Sequence, residues 1–162
     1  MAYRILKLLH LLGLTLFLGS IFGHIVSSVL GGAVGGTPAF VAAREHIALA
    51  TDALTLPGLG LAILTGFGMV LVGRLSPLRA PWLIVHAGLG ILIAVLAWFV
   101  IVPAVSHVLE GALELANGGR ATIASVVALK RIEDVAGACN ILLTLAAMTI
   151  AVWKPQFRTK TS

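Results

Sequence analysis

Charge is what this chain has least of. Asp, Glu, Lys and Arg make up 10% of its 162 residues, where a soluble domain carries about 25%. The apolar share of 59% and a mean hydropathy of +1.09 exclude an ordinary soluble domain. Cysteine is nearly absent as well. The one at Cys139 excludes an intrachain disulfide and every multi-cysteine zinc pattern, and its place in an apolar run predicts a small buried apolar side chain. There is no basic face either. The pI is near 10.2, but the bases are spread over short loops, which excludes nucleic acid as a partner. No internal repeat stands out.

What the chain does have is four long apolar runs. Spans are predicted over about residues 5–29, 49–73, 81–107 and 130–153, each longer than the roughly 18 residues needed to cross a bilayer. The expected fold class is all-α, a four-helix transmembrane bundle forming a single domain over 1–162. The first run is too long for the apolar core of a secretory signal, about 7 to 15 residues, and reads as a retained span. Gly31 to Gly36 ends the first helix, and Thr37-Pro38 is a start signal for the second. Arg44, Glu45 and His46 are expected on an interfacial turn before that helix enters the bilayer near Asp52. Asn117-Gly118-Gly119 stops the third helix and Thr122 caps the fourth. Pro57 and Pro103 fall inside spans two and three, where they predict kinks that free the carbonyls of residues 53 and 99.

Arg4, Lys7, Arg74, Arg79, Lys154, Arg158 and Lys160 fall on one side of this topology, against Arg44, Arg120, Lys130 and Arg131 on the other. The positive-inside rule then predicts that both termini are cytoplasmic. Trp82 and Trp153 become belt residues at the inner interface.

Ionisable groups at membrane depth are costly and mark candidate sites. His10 and His24 are fourteen residues apart, on one stripe with Gly13, Phe17 and Ser20, and that stripe must face protein. Counting from the inner helix ends at about 1.5 Å per residue puts His10, His86, Met69 and Met148 in one inner layer. Imidazole and thioether are axial ligands of b-type haem, and a flat macrocycle between helices needs small neighbours. His10 and His86 are therefore the expected metal ligands, with Gly13, Gly90 and Met148 as further cofactor-binding residues. The alternative is that both histidines only hydrogen-bond across the bundle. The outer layer gathers His24, Asp52, Lys130, Arg131 and Asp134, with Glu133 beside them, as candidate catalytic groups for proton transfer or for a quinone. The same residues could instead form an ion-pair network that fixes helix register. His46 and His107 are expected at the outer water interface.

Several short motifs resemble a known set of membrane proteins. They are Lys7-Leu8-Leu9-His10, Leu56-Pro57-Gly58 with Thr65-Gly66, Pro81-Trp82-Leu83 and Trp153-Lys154-Pro155. Together they resemble an uncharacterised bacterial four-span membrane family related to the HemJ-type protoporphyrinogen oxidases and to CopD-like copper-resistance membrane proteins. That resemblance implies a haem b ligand at His10. Lys130-Arg131-Ile132-Glu133-Asp134-Val135 is similar to the Arg-x-x-Asn-Glu-x-Pro stretch of the HemJ type, with Glu133-Asp134 for Asn-Glu and Ala136 for Pro. The third span departs from the HemJ pattern, since Trp82-Leu83-Ile84-Val85-His86 lacks its Trp-x-His-x-Lys.

The expected function is thus a haem b protein of the bacterial inner membrane, embedded in the lipid bilayer, passing electrons between a redox protein or quinone and haem. Two alternatives stand beside it. One is an oxidoreductase of the HemJ type, and the other is a cofactor-free or copper-handling membrane subunit with structural histidines. The Gly19/Gly23 pair permits close helix approach, within the bundle or in a homo-oligomer.

Overall fold

The computed structural model describes residues 1–74 and 80–155, and among these it is all helix and loop, with no strand. Four helices form the bundle: α1 (Ala2–Leu30), α2 (Pro38–Val72), α3 (Pro81–Ala116) and α4 (Ile123–Trp153). Arg79, Arg158 and Lys160, part of the charge asymmetry above, lie outside the described residues.

The helix boundaries fall where the caps predict. Thr37 accepts a bond from the Phe40 N–H, and Thr122 forms a reciprocal capping box with Ser125, so each helix start has its exposed amides partly satisfied. Gly118 follows α3 at φ +70°, a backbone region open to glycine. Lys154 closes α4 in the left-handed conformation, its N–H returning to the Ile150 carbonyl at 2.9 Å.

Both internal prolines produce a local widening of the helix. α2 carries a π turn over Thr51–Thr55 and α3 another over Ala97–Ile101, each ending two residues before a proline. A proline ring clashes with the carbonyl four residues back and offers it no N–H. Widening the preceding turn relieves the clash, with Leu56 N–H bonding to Thr51 O and Val102 N–H to Ala97 O.

The helices have 29, 35, 36 and 31 residues, or about 43 to 54 Å at 1.5 Å per residue, longer than an apolar core about 30 Å thick. They continue past the expected spans at the end carrying the two connections 31–37 and 117–122, called here the turn end. There the start of α2, the end of α3 and the start of α4 close a small core of Phe40, Val108, Ala112 and Val126. The last part of α3 is amphipathic, with Val105, Val108 and Ala112 buried and Ser106, His107, Glu110 and Glu114 exposed.

At mid-bundle Phe17 of α1, Leu59 of α2, Ile93 and Ala97 of α3 and Ala147 of α4 pack together, so every helix contributes to the centre. α1 and α2 cross in near backbone contact: a Cβ on Gly58 would lie 2.7 Å from the Phe17 nitrogen, and one on Gly13 would lie 2.7 Å from the Gly58 oxygen. Small residues permit this approach in membrane helices. Towards the other end, which holds both termini and is called the terminal end, α1 packs on α2 and α3 on α4. The two pairs make no comparably close backbone approach there. The outer face is apolar, with Leu64 and Phe99 both 72% exposed. Cys139 shares that exposure. This corrects the expectation of a buried thiol: an apolar run in a lipid-facing helix does not distinguish core from surface.

Candidate functional site: two facing histidines

In the terminal half, His10 of α1 and His86 of α3 face each other across the two helix pairs, with ring centroids 6.5 Å apart and planes tilted by 60°. Each ring is held by a backbone carbonyl of its own pair. His10 Nδ1 bonds to Ala62 O of α2 at 2.7 Å, and His86 Nδ1 bonds to Ala147 O of α4 at 3.0 Å. A carbonyl can only accept, so both neutral rings carry the proton on Nδ1 and keep the Nε2 lone pair free. That is the arrangement of a metal-binding imidazole, whose second nitrogen fixes tautomer and orientation. Two imidazoles sharing one metal at a metal–nitrogen distance of about 2.1 Å have ring centroids roughly 6 Å apart. The observed separation fits.

α2 shapes the His10 side. Thr65 Oγ1 lies 3.4 Å from His10 Nδ1, but it donates to carbonyls of its own helix, to Ala62 O at 3.2 Å. At Gly66 a Cβ would stand 3.3 Å from His10 Cε1. Thr65 and Gly66 therefore belong to the site, although depth counting did not select them; the signal was there in the Thr65-Gly66 motif. Of the glycines expected beside the ligands, Gly13 serves the α1–α2 crossing, whereas a Cβ at Gly90 would meet nothing within 4 Å. Met69 is half-buried. Met148, 38% exposed, lines a surface groove of α4 with Leu145, Thr149, Val152 and Trp153.

The terminal end is fastened by Lys154, whose Nζ lies 5.5 Å from the centroid of the Trp82 ring. This cation–π contact joins the start of α3 to the end of α4.

The turn half holds a different polar set. His24 Nε2 lies 3.3 Å from Ser20 Oγ and 3.4 Å from Thr51 Oγ1, and Ser20 also bonds to Thr55. Lys130 pairs with Asp134 along the surface of α4 at 2.7 Å, while Asp52 and Arg131 are exposed. The five residues expected to share an outer catalytic layer are thus distributed over three settings. His107 pairs with Glu110 in an exposed position. His46 is hydrogen-bonded to Ser27 of α1 at 2.7 Å, on the wall of a groove of about 660 Å³ between the turn ends of α1 and α2.

The group missed from sequence is Arg44. It is 1% exposed, and its Nη2 donates to both carboxylate oxygens of Glu133 at 2.7 Å. Arg44 lies on the helix that Thr37-Pro38 starts, as expected, and that helix points every third or fourth residue, Phe40, Arg44 and Ile47, at α3 and α4; what the sequence did not show is that Arg44 is buried against Glu133. Among the described residues no cluster of three or more His, Cys, Asp or Glu side chains could hold a metal ion.

Residues 4–155 match the model of a family described as predicted integral membrane protein (DUF2269). No curated protein and no solved structure matches the chain.

Proposed function

Taking as premise that the chain belongs to this family of multi-pass integral membrane proteins, DUF2269, we propose that it binds haem b between His10 and His86 and carries electrons. The observation behind this reading is the pair of facing imidazoles, each tied through Nδ1 to a carbonyl so that Nε2 is available. The donor set fits the group: two neutral imidazoles are supplied from opposite helix pairs, beside a glycine on α2 and an open position at Gly90. Bound haem would supply one-electron chemistry within reach of a redox protein or of a quinone in the bilayer.

The chain's own part is to hold and to insulate. The Ala62 and Ala147 carbonyls fix the tautomers, and accepting a hydrogen bond from a ligating imidazole raises its basicity. Apolar packing at mid-bundle keeps water from reaching the pair from the turn end. His10 is six residues beyond Arg4, about 9 Å along the helix, which puts the pair near one face of the membrane. With the termini cytoplasmic by the positive-inside rule, and with the bacterial inner membrane as location, that face is the cytoplasmic one. A relation to HemJ-type enzymes would use the same histidine, His10, whereas a cofactor-free or copper-handling subunit would keep the histidines as structural groups.

The test is the absorption spectrum of protein purified from cells supplied with haem precursor. A Soret band and a reduced α band are expected, lost or shifted in His10→Ala and in His86→Ala and unchanged in His46→Ala. A colourless protein would overturn the haem reading. Uptake of one copper(I) per chain by that colourless protein, abolished by either substitution, would establish direct metal binding by the same pair.

A further inference from the structure

The histidines of this chain are held in two ways. Nδ1 of His10 and of His86 each meets a backbone carbonyl, which can only accept, so the proton stays on Nδ1. Nδ1 of His46 instead meets the Ser27 hydroxyl at 2.7 Å. A hydroxyl both donates and accepts, so His46 can change tautomer in place. With Ser27 donating to Nδ1, Nε2 presents an N–H; with Nδ1–H donating to Ser27, Nε2 presents a lone pair. Among the described residues Nε2 has no hydrogen-bond partner of its own.

His46 stands on the wall of the groove between the turn ends of α1 and α2. The groove's volume of about 660 Å³ is that of a small-molecule site, about 300 to 1,000 Å³. Its room comes from small residues, Gly23, Gly31, Ala39, Ala42 and Ala43. On its rim Phe22, Val26 and Leu30 are exposed. An apolar core about 30 Å thick takes about 20 residues of helix, so counted from Arg4 it ends near His24. Phe22 and Gly23 then lie in hydrocarbon, and the Ser27–His46 pair lies at its outer edge. Ser27 is seventeen residues from His10 along α1, about 25 Å. The groove is therefore separate from the two facing histidines.

Charge narrows the occupant. No acid or base lines the groove. Arg44 is turned to Glu133, and Glu45, beside His46 in the chain, is exposed. A phosphate or carboxylate headgroup would thus leave the water with no counter-charge to meet, at high cost. An uncharged molecule fits better, with an apolar body and one oxygen at His46. Nε2 can serve an oxygen that accepts in one state and donates in another, as a quinone carbonyl becomes the hydroxyl of the quinol. A plain alkyl chain would use neither Ser27 nor His46.

We propose that this groove binds an isoprenoid quinone, with a ring oxygen on His46 Nε2 and the tail leaving past Phe22 and Gly23 into the bilayer. The Ser27 hydroxyl lets the same imidazole hold quinone and quinol alike. The site stands whether or not His10 and His86 bind haem.

Photolabelling tests it. In nanodiscs of quinone-free phosphatidylcholine, a short-tailed azidoubiquinone is photolysed and its adducts are located by mass spectrometry. Label is expected on residues 22–31 and 39–46, displaced by excess decylubiquinone and by decylubiquinol at similar concentrations, but not by dodecanol. Loss of the hydrogen bond in His46→Leu should weaken binding about tenfold, and His46→Gln, which keeps a donor and an acceptor, should retain it. Gly23→Leu should abolish the label by filling the groove. A Cβ at Gly23 meets nothing within 4 Å, so this variant leaves the bundle packing alone and decides the matter should His46→Leu not fold. Gly60 is equally open, and Gly60→Leu should label normally. Label spread over the lipid-facing surface, or unchanged in Gly23→Leu, overturns the proposal. Displacement by dodecanol as effective as that by decylubiquinone also overturns it, since the groove then takes any alkyl chain. Displacement by only one of the two redox forms overturns the role given to the Ser27–His46 pair.

Discussion

Arg44 and Glu133 show how a residue's weight depends on what surrounds it. Removing one partner of a buried ion pair leaves an uncompensated charge, at a cost of about 3 to 5 kcal/mol, whereas replacing both with apolar residues of similar volume is often neutral or stabilising. Glu133→Ala should therefore lower the thermal midpoint in detergent substantially, and Arg44→Met with Glu133→Leu should recover most of the loss. A double variant as unstable as Glu133→Ala would mean that the pair stabilises the fold beyond neutralising its own charges. Glycines give a cleaner contrast. Gly58→Ala pushes a methyl group to within 2.7 Å of the Phe17 backbone and should cost about 1 to 3 kcal/mol by overpacking. Gly60→Ala, two residues away, meets nothing within 4 Å and should be neutral or slightly stabilising, as thermal unfolding in parallel will read. At this scale the sequence was informative about His10 and His86, whose depth could be counted from helix ends. It was silent about Arg44, because depth along a helix says nothing about which way a side chain faces until the partner helices are in place.

At the scale of the element, the two π turns fix the phase between the halves of α2 and of α3. One residue more or less in a regular helix rotates everything beyond it by about 100°. Leu49 is 67% exposed, so its own side chain matters little, yet its deletion should turn Arg44 away from Glu133 and destabilise the protein. Deletion of Leu54 inside the π turn, combined with Pro57→Ala, should instead regularise α2 and leave Arg44 in place. Circular dichroism melts of the two deletions check this, and equal loss in both would show that the turn does not set the phase. The prolines made both interruptions legible, and the caps at Thr37 and Thr122 made both starts legible. The π geometry was not, since a proline in a helix can be absorbed by a kink, a bulge or a break.

For the whole molecule, the four spans could be read from hydropathy alone, because a bilayer demands length and apolarity and little else. Which faces meet could not be read, because lipid-facing and core-facing positions are equally apolar in this chain. Orientation rests on the charge asymmetry. Cysteines introduced at Ser76 and Ser162 in a Cys139→Ser background should be labelled from the cytoplasm, and those at Gly35 and Asn117 should not. Cytoplasmic labelling at Gly35 would invert the topology.

The pairing of α1 with α2 and of α3 with α4 has a consequence for biogenesis. Each pair is a hairpin with a short connection, and each contributes one histidine together with the carbonyl that orients it. A half-chain ending after Arg74 and another beginning at Ala80 would each enter the bilayer as a hairpin carrying a complete imidazole–carbonyl unit, leaving only lateral association to follow, as in the two-stage picture of membrane folding. The two rings can then meet only after the second hairpin has docked on the first, so if they hold haem as proposed, the appearance of its Soret band would serve as a clock for assembly in a cell making the two halves separately.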